Sequence, residues 1–360
     1  MKAAVFVGTG EPLAIEDITP NAPGPTDVVV QLGASGVCHS DLSIKNGYVP
    51  MPPGYVLGHE GAGTVVEVGS EVNRVKVGDK IVASFVPACG VCIPCLGDQS
   101  HLCDAEFEVM TALRGTRPDG NPYLTMTGLG TFAEAMTVSQ SSVVKVETDL
   151  PFDQLALIGC GVTTGVGAAL STARVQPGAS VAIIGCGGVG ISVLQGARIA
   201  GAGRIIIIDQ GEEKRKDAEA QGATDYVDSL AGDPVAQVMA LTGGRGVDYS
   251  FEVIGLPETT LQAYNMIRKG GTAVMVGMTR AEAQLTISTF DLFYNEKTLK
   301  GCKYGSAQVR RDFGKFISLV ENGRLDIGSM VSRHIKLEEV NEAFTAMQNR
   351  EVVRSVITTF

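Results

Sequence analysis

The chain contains at positions 185–190 the stretch Gly185-Cys186-Gly187-Gly188-Val189-Gly190. It fits the pattern G-x-G-x-x-G, whose glycines permit a tight turn, close approach of the backbone to a pyrophosphate, and near contact between helix and strand. The pattern alone is a weak signal. Here a strand predicted at Ser180–Ile184 precedes it and a helix predicted at 190–200 follows. The stretch therefore predicts a dinucleotide-binding βαβ unit, and the alternative is a glycine-rich connector in an ordinary α/β domain.

An acidic residue, Asp209, ends the next predicted strand about twenty residues after the glycines. A carboxylate at this position accepts hydrogen bonds from the ribose hydroxyls of a dinucleotide and repels a 2′-phosphate. We therefore expect NAD rather than NADP. The alternative is that Asp209 is a surface residue at the end of a strand.

The predicted pattern of secondary structure changes near residue 163. Before about 146, β-rich runs such as 28–32 and 64–68 alternate with Gly and Pro turns, which is typical of a barrel or sandwich. After 163 strands and helices alternate in βαβ order. We predict further strands at 204–209, 248–253, 272–277 and 355–360, and helices at 211–221, 313–322 and 337–348.

Length and charge narrow the classes of protein. A chain of 360 residues exceeds the usual single domain, so two domains are expected. The net charge of −10 and the scattered Lys and Arg residues argue against nucleic acid and membrane surfaces as partners. Residues 175–197 carry no charge, but their Pro and Gly residues break them into a turn, a strand and a loop rather than a membrane span. We expect a soluble, cytoplasmic protein.

Four of the eight cysteines follow the spacing Cys89-x2-Cys92-x2-Cys95-x7-Cys103. Four thiolates in one loop close a tetrahedral shell and leave no position for water, which is the signature of structural zinc. An iron–sulfur cluster is the main alternative because its ligands are also four cysteines. Disulfides are a weaker alternative, since nothing indicates export.

Three further potential ligands are spread along the chain. Cys38 lies in Gly36-Val37-Cys38-His39-Ser40-Asp41, His59 in Gly58-His59-Glu60-Gly61-Ala62-Gly63, and Cys160 in Gly159-Cys160-Gly161-Val162-Thr163-Thr164-Gly165. Spacing alone does not join them. Each, taken alone, is more often a packed loop residue than a metal ligand.

Together these motifs resemble the zinc-containing medium-chain alcohol dehydrogenases, in that family's order and intervals and over essentially the whole chain. The resemblance implies that Cys38, His59 and Cys160 hold a catalytic zinc whose fourth position is open to the substrate oxygen; alcohol dehydrogenase is itself a standard example of such a Cys2His site. Zinc makes an alcohol acidic enough to lose its proton near neutral pH, and hydride then passes to the nicotinamide.

The resemblance also assigns a proton path. Ser40 matches the hydroxyl that receives the alcohol proton. Many members have a histidine three residues later, whereas this chain has Ser43, so water or His39 takes its place. The first role that the resemblance gives His39 is contact with the cofactor pyrophosphate.

Residues around the metal and the cofactor are implied in the same way. Asp41 matches the carboxylate that orients the imidazole of His59, and Glu60 would lie just behind the metal. As single residues, both could instead be simple turn residues. The implied cofactor-binding residues are His39, Thr164, Gly185, Gly187, Gly188, Val189, Gly190, Asp209, Lys214 and Arg354.

The substrate pocket is implied by Phe85, a wall beside the zinc, and by Val49. Members that oxidise the glutathione adduct of formaldehyde usually have an acidic residue where this chain has Val49, which counts against that substrate. Residues 113–122 resemble a longer loop at the edge of the pocket. We expect a medium or large apolar alcohol, primary or aromatic.

The predicted fold is α/β, with a GroES-like β-rich catalytic domain formed by 1–161 and 304–360 and a doubly wound, parallel-sheet Rossmann NAD-binding domain at 162–303 inserted into it. The active site is expected at the carboxyl ends of the parallel strands. The predicted cofactors are NAD and two zinc ions per chain, the partner is an alcohol or aldehyde, and the assembly is a homo-oligomer. Two rival hypotheses are a dismutase with permanently bound NAD and a non-catalytic NAD-binding sensor.

Overall fold

The computed structural model describes residues 1–360, and the chain forms two compact units. The first unit contains Met1–Gly161 and Gln308–Phe360, and the second contains Val162–Ala307. The second unit is thus inserted into the sequence of the first.

The amino-terminal part of the first unit is mostly β-structure with short helices. Its strands are β1 Lys2–Phe6, β2 Ala14–Asp17, β3 Thr19–Pro20, β4 Asp27–Gly36, β5 Tyr55–Val56, β6 Glu60–Val68, β7 Lys80–Ala83, β8 Gly115–Thr116, β9 Pro122–Thr125, β10 Ala135–Ser139 and β11 Val143–Lys145. Its helices are α1 His39–Lys45, α2 Ile93–Leu96, α3 Glu106–Met110 and α4 Phe152–Leu157.

The second unit alternates strands and helices. Its strands are β12 Ser180–Ile184, β13 Arg204–Asp209, β14 Asp225–Asp228, β15 Val247–Glu252, β16 Ile267–Met275 and β17 Thr298–Gly301. Its helices are α5 Thr163–Gly167, α6 Gly188–Ile199, α7 Glu213–Ala220, α8 Pro234–Leu241, α9 Pro257–Met266 and α10 Thr289–Tyr294. The chain then returns to the first unit with α11 Val309–Glu321, β18 Val331–Lys336, α12 Val340–Gln348 and β19 Arg354–Thr359.

Two sheets build the first unit. One has the order β2-β1-β5-β9-β8-β3, and the other has the order β11-β7-β6-β4-β19-β18 with β10 also paired to β4. The long antiparallel pair β4 and β6 is the centre of the second sheet. The carboxyl-terminal strand β19 pairs with β4 at Gly36, so the end of the chain lies beside the end of β4. This arrangement confirms the β-rich part of the predicted fold class.

The second unit is built on a fully parallel sheet of order β14-β13-β12-β15-β16-β17. Counted from β12, this is the strand order 3-2-1-4-5-6 of a dinucleotide-binding sheet. Residues 181–184 of β12 and 205–208 of β13 are continuously apolar and buried, as expected of strands whose two faces are both covered by helices. The predicted Rossmann architecture is thereby confirmed.

Several predicted boundaries differ from the observed ones. The helix after the glycines begins at Gly188 rather than 190, β16 begins at Ile267 rather than 272, and α11 begins at Val309 rather than 313. The predicted helix 337–348 starts with a 3-10 turn, Leu337–Glu339, before α12. Boundaries shift because capping and tertiary contacts, rather than hydrophobic period, decide where an element ends.

The charge-free stretch 175–197 forms a turn, β12, the glycine loop and part of α6, as the sequence predicted. One other helical stretch, Phe152–Ala173, is long and apolar enough to cross a membrane by length and composition. Most of it, 89% of its most apolar window, is buried inside the structure, as in a core helix of a folded domain.

Residues 113–122, predicted as a loop, form a β-hairpin from β8 and β9 that is attached to the edge strand β3. Arg117 forms two hydrogen bonds with Glu16, of 2.9 and 2.7 Å, and Arg114 contacts Asp27 at 3.1 Å. Bidentate pairs of this kind fix geometry as well as adding stability. The segment is therefore an ordered part of the sheet edge.

We predict that Asp248→Asn destabilises the second unit in a pH-dependent way. The carboxylate of Asp248 accepts hydrogen bonds from the N–H and hydroxyl of Ser180, both 2.7 Å, and from Arg268 at 2.6 Å. Burial opposes the charged form, but these donors lower the pKa of Asp248 to about 2. The free energy of unfolding should fall by about 1–3 kcal/mol at pH 7.

Because the folded-state pKa lies below the unfolded one, this stabilisation is complete above about pH 4 and is lost as the pH falls towards 2. Urea unfolding of the wild type and of Asp248→Asn should thus show a difference in the free energy of unfolding that becomes smaller as the pH falls. Glu282→Gln, which changes an exposed carboxylate of the same unit, is the control. A difference that is independent of pH would contradict the prediction.

Candidate metal centres and dinucleotide loop

Four potential ligands lie together in the first unit: Cys38, His59, Glu60 and Cys160. One donor atom from each lies within 4.8 Å of all the others, and all four residues are buried. Two thiols, an imidazole and a carboxylate are ligands that Zn²⁺ prefers. The donor chemistry and the spacing therefore fit a zinc ion.

The sheet explains how distant residues meet. β4 and β6 run antiparallel, and Gly36 at the end of β4 is opposite Glu60 at the start of β6. Cys38 is two residues beyond Gly36 and His59 is one residue before Glu60, so both reach the same end of the pair. Cys160 lies in a wide helical turn, Ile158–Val162, directly after α4, which packs on β4 and β6.

Asp41 ties the first two ligands together. Its carboxylate accepts hydrogen bonds from the backbone N–H of Cys38 at 2.9 Å and from that of Gly58 at 3.1 Å, and it lies 3.2 Å from His59 Nδ1. Burial would lower the pKa of His59, but this carboxylate and the neighbouring thiol of Cys38 together raise it well above the usual range. With Nδ1 directed at Asp41, Nε2 is the nitrogen that faces the thiols.

Glu60 forms a fully buried ion pair with Arg354, which is 4% exposed. Glycines leave the space for this pair. A Cβ on Gly36 would lie 2.2 Å from Glu60 Oε2, and one on Gly161 would lie 2.8 Å from Arg354 Nη1. Burial raises the pKa of Glu60 to about 7 even though Arg354 opposes the shift. The pair joins residues 294 apart in sequence, and no local signal in the sequence predicts it.

The two thiols of the cluster shift each other's pKa in opposite directions. A hydrogen bond with Cys160 holds the pKa of Cys38 well below its usual range, and the same bond raises the pKa of Cys160. A divalent cation between the sulfurs would replace the proton of this hydrogen bond, because thiols bind metals as thiolates. The site thus has the electrostatics of a metal centre.

Other predicted residues surround the cluster at different distances. Ser40 Oγ lies 3.8 Å from Cys38 Sγ, and the ring of Phe85 packs edge-on against His59 with 5.8 Å between centroids. Val49 packs against a core cluster of the first unit rather than being exposed. His39 is exposed at the first position of α1. The functional roles given to these residues stay predictions.

The thiols of Cys89, Cys92, Cys95 and Cys103 form a second cluster, within 4.8 Å of one another. Two of the sulfur–sulfur distances are 3.8 Å, from Cys89 to Cys95, and 3.9 Å, from Cys92 to Cys103. Tetrahedral zinc with bonds of about 2.3 Å requires neighbouring sulfurs about 3.8 Å apart. The loop therefore has the dimensions of a closed tetrathiolate site.

Backbone N–H groups are directed at these sulfurs. The N–H groups of Val91 and Cys92 donate to Cys89 Sγ at 3.5 and 3.4 Å, and the N–H of Cys89 donates to Cys103 Sγ at 3.5 Å. Burial opposes ionisation, but these donors lower the pKa of Cys89 to about 6. The loop thus stabilises the thiolate of Cys89, whereas burial raises the pKa of Cys95 to about 12 and also raises that of Cys103.

The glycine loop of the second unit lies between β12 and α6. Gly185 has φ +109°, and a Cβ on Gly190 would lie 1.9 Å from the carbonyl oxygen of Gly185, so both positions require glycine. A Cβ on Gly187 would meet no atom within 4 Å. Gly187, Gly188 and Val189 are therefore at the open amino end of α6, where a helix favours an anion.

Asp209 at the end of β13 reaches this loop. Its carboxylate accepts hydrogen bonds from the N–H of Cys186 at 2.5 Å and from that of Gln210 at 2.7 Å. Lys214 lies in the first turns of α7, 3.6 Å from Asp217. Thr164 lies in α5. This helix packs closely against α6, and Gly165 permits the contact because a Cβ there would collide with Ser192.

Comparisons with known proteins agree with this geometry. Residues 24–148 match the family described as the alcohol dehydrogenase GroES-like domain, and residues 188–322 match the zinc-binding dehydrogenase family. The chain is 39% identical to an NDMA-dependent alcohol dehydrogenase of Amycolatopsis methanolica, covering 99% of this chain and 98% of that protein. It is 36% identical to a class-3 alcohol dehydrogenase of Cereibacter sphaeroides, with 99% of both covered.

Two solved structures are also similar. An alcohol dehydrogenase zinc-binding domain protein from Burkholderia ambifaria has TM-score 0.93 and 31% identity, covering 99% of this chain and 98% of that chain. Benzyl alcohol dehydrogenase from Acinetobacter calcoaceticus has TM-score 0.92 and 28% identity, covering 100% and 99%. The chain therefore belongs to the zinc-containing medium-chain alcohol dehydrogenase family. By class it is an oxidoreductase that uses zinc and a nicotinamide cofactor.

We predict different effects for two alanine substitutions in the glycine loop. Gly190→Ala places a methyl group against the carbonyl of Gly185 and should destabilise the second unit by about 1–3 kcal/mol. Gly187→Ala meets no protein atom and should leave thermal unfolding unchanged while weakening binding of the nicotinamide cofactor. Differential scanning calorimetry and a cofactor titration separate the two. Equal loss of stability in both variants would contradict the role given to Gly187.

Proposed function

We propose that this protein oxidises an apolar alcohol to its aldehyde or ketone, with zinc at Cys38, His59 and Cys160 and with NAD as hydride acceptor. The observation that carries the proposal is the buried cluster of these three ligands with Glu60, assembled from three distant segments. In this proposal the first unit is the catalytic domain and the second is the NAD-binding domain.

Zinc bound there would supply a Lewis acid that lowers the pKa of the alcohol. The protein's own residues do the rest. Asp41 keeps His59 in one orientation, and the buried pair of Glu60 and Arg354 supports the rear of the cluster. Ser40, beside Cys38, accepts the proton that the alcohol loses and passes it towards solvent. Phe85 restricts the space next to His59.

The choice of NAD over NADP rests on Asp209. Its carboxylate lies at the carboxyl end of β13 beside the glycine loop, where an adenosine ribose binds in sheets of this order. A negative charge there favours free ribose hydroxyls over a 2′-phosphate. Gly185, Gly187, Gly188, Val189 and Gly190 would receive the pyrophosphate, with Thr164, Lys214, His39 and Arg354 as further cofactor contacts. Of these, Arg354 is already engaged by Glu60.

The substrate class is argued from two residues. Val49 is apolar and packs against the core, which offers nothing to the charged amine of a glutathione adduct. Phe85 presents an aromatic wall beside the imidazole. The likeness to a benzyl alcohol dehydrogenase agrees with an aromatic or other bulky primary alcohol. A homo-oligomer in the cytoplasm stays a prediction.

Two zinc ions per chain are part of the proposal, one at the Cys2His site and one in the tetrathiolate loop. An alternative within the same class is a dismutase whose NAD stays bound. One relative's name records that it depends on NDMA, so a requirement for a further compound exists among similar proteins. A non-catalytic sensor is disfavoured because every ligand of the cluster is present.

The central test is Cys38→Ala. We expect zinc content to fall from two to one per chain and kcat/KM for benzyl alcohol with NAD to fall by about three orders of magnitude, equivalent to about 4 kcal/mol. Cys302→Ser, a cysteine outside both clusters, is the control and should keep both values. Activity that survives in Cys38→Ala would refute the proposed catalytic site.

A single-turnover measurement distinguishes the dismutase. Alcohol is added to the enzyme with excess NAD, and the reduced cofactor is measured by its absorbance. If its amount never exceeds one equivalent per enzyme chain, the NAD stays bound and does not exchange.

Cofactor choice is tested by Asp209→Asn, which keeps an oxygen for the N–H of Cys186 but removes the charge. The ratio of kcat/KM with NAD to that with NADP should fall by about 10-fold or more, because hydrogen bonds to a charged group contribute about 1.5–3 kcal/mol. An unchanged ratio, in a variant with unchanged thermal unfolding, would remove Asp209 as the determinant.

A further inference from the structure

Two arginines converge on the start of the four-cysteine loop. Arg74 donates to the carbonyl of Ala88 at 2.9 Å and to that of Cys89 at 2.6 Å. Arg310, in the first turn of α11, donates to the same carbonyl of Ala88. Both guanidinium groups also lie near Gly90, where a Cβ would be 3.4 Å from Arg310 Nη1 and 3.8 Å from Arg74 Nη2. Two segments far apart in sequence thus bind two successive backbone carbonyls at the start of the loop.

Neither arginine has a carboxylate partner. The ion pairs of the neighbouring Arg311 and of Arg114 and Arg117 are all with Asp or Glu, whereas the hydrogen bonds of Arg74 and Arg310 go only to backbone carbonyls. Two cations that share one acceptor repel each other. Arg310 is exposed and Arg74 is half-buried, so solvent screens part of this repulsion, and negative charge nearby would favour their convergence further.

The four thiols are the source of that charge when they hold a metal. Four thiolates around one Zn²⁺ leave a net charge of about −2. Cys89, whose own carbonyl is held by Arg74, is one of the four. The loop also exposes Val91 and Ile93 and its short helix α2 buries no side chain, so little apolar packing holds it in place.

We propose that Arg74 and Arg310 form an arginine clamp that positions the tetrathiolate loop and offsets the negative charge of its metal complex, and so determines how firmly the chain retains this zinc. The inference rests on the proposed zinc content of the four-cysteine loop. The clamp acts through the loop and not on the substrate. Both arginines are therefore positioning residues.

The test measures zinc release from the full chain to a chromogenic zinc chelator. In the double variant Arg74→Gln and Arg310→Gln, one equivalent of zinc should be lost 10- to 100-fold faster, the usual effect of removing groups that support metal ligands. The second equivalent, at Cys38, His59 and Cys160, should be released at the wild-type rate. Arg117→Gln removes an arginine with two hydrogen bonds elsewhere in the same unit and is the control.

A charge-preserving variant separates the clamp from simple packing. Arg310→Lys keeps the cation and should retain zinc better than Arg310→Gln. When Co²⁺ replaces zinc in the loop, its thiolate charge-transfer absorption should likewise be lost more slowly in Arg310→Lys than in Arg310→Gln. Unchanged release in the double variant, or equal effects of Lys and Gln, would overturn the clamp. Equal acceleration in Arg117→Gln would do the same. A wild-type chain without zinc at these thiols would instead refute the proposed two-zinc function.

Discussion

The buried cluster of Cys38, His59, Glu60 and Cys160 depends on one carboxylate, that of Asp41. Asp41 has no exposed surface, and its two oxygens bind the N–H of Cys38, the N–H of Gly58 and the imidazole of His59. Asp41 therefore holds the turn between β4 and α1 and orients His59, which follows β5. Removing one partner of such a network leaves buried polar groups unsatisfied, which costs more than the bond itself contributes. The positions of two potential metal ligands, Cys38 and His59, are thus fixed by a residue outside the set of four.

Glycine provides the space in which this polar cluster fits. Gly36 and Gly161 lie close in sequence to Cys38 and Cys160 and leave room for the buried pair of Glu60 and Arg354. A buried ion pair offsets the cost of its own desolvation only when its geometry is good. Here Arg354 is the first residue of β19, and the pairing of β19 with β4 places it beside Glu60. Strand β19 is consequently needed to position Glu60 in the cluster.

The two clusters of potential metal ligands are assembled in different ways. The four-cysteine loop brings its ligands together within 15 residues, 89–103, and stabilises sulfur by backbone N–H groups of the loop itself. The other cluster takes its ligands from three segments and relies on sheet register, a buried carboxylate and a helical turn. A set of four protein ligands closes the shell of a structural zinc ion, whereas a set of three leaves a fourth position for water or substrate.

Features that depend only on residues close together in the chain could be predicted from the sequence. The glycine loop with its flanking strand and helix, the apolar strands of the parallel sheet and the cysteine loop follow from local spacing and from hydrophobic period, because neighbouring residues alone impose those constraints. Cys38, His59 and Cys160 could be joined only through a family resemblance, since nothing local links them. The tertiary structure alone decided the pairing of Glu60 with Arg354, the conversion of residues 113–122 into a hairpin, and the meeting of Arg74 with Arg310. Each of these joins residues whose contact depends on strand register and chain return, which no short-range pattern specifies.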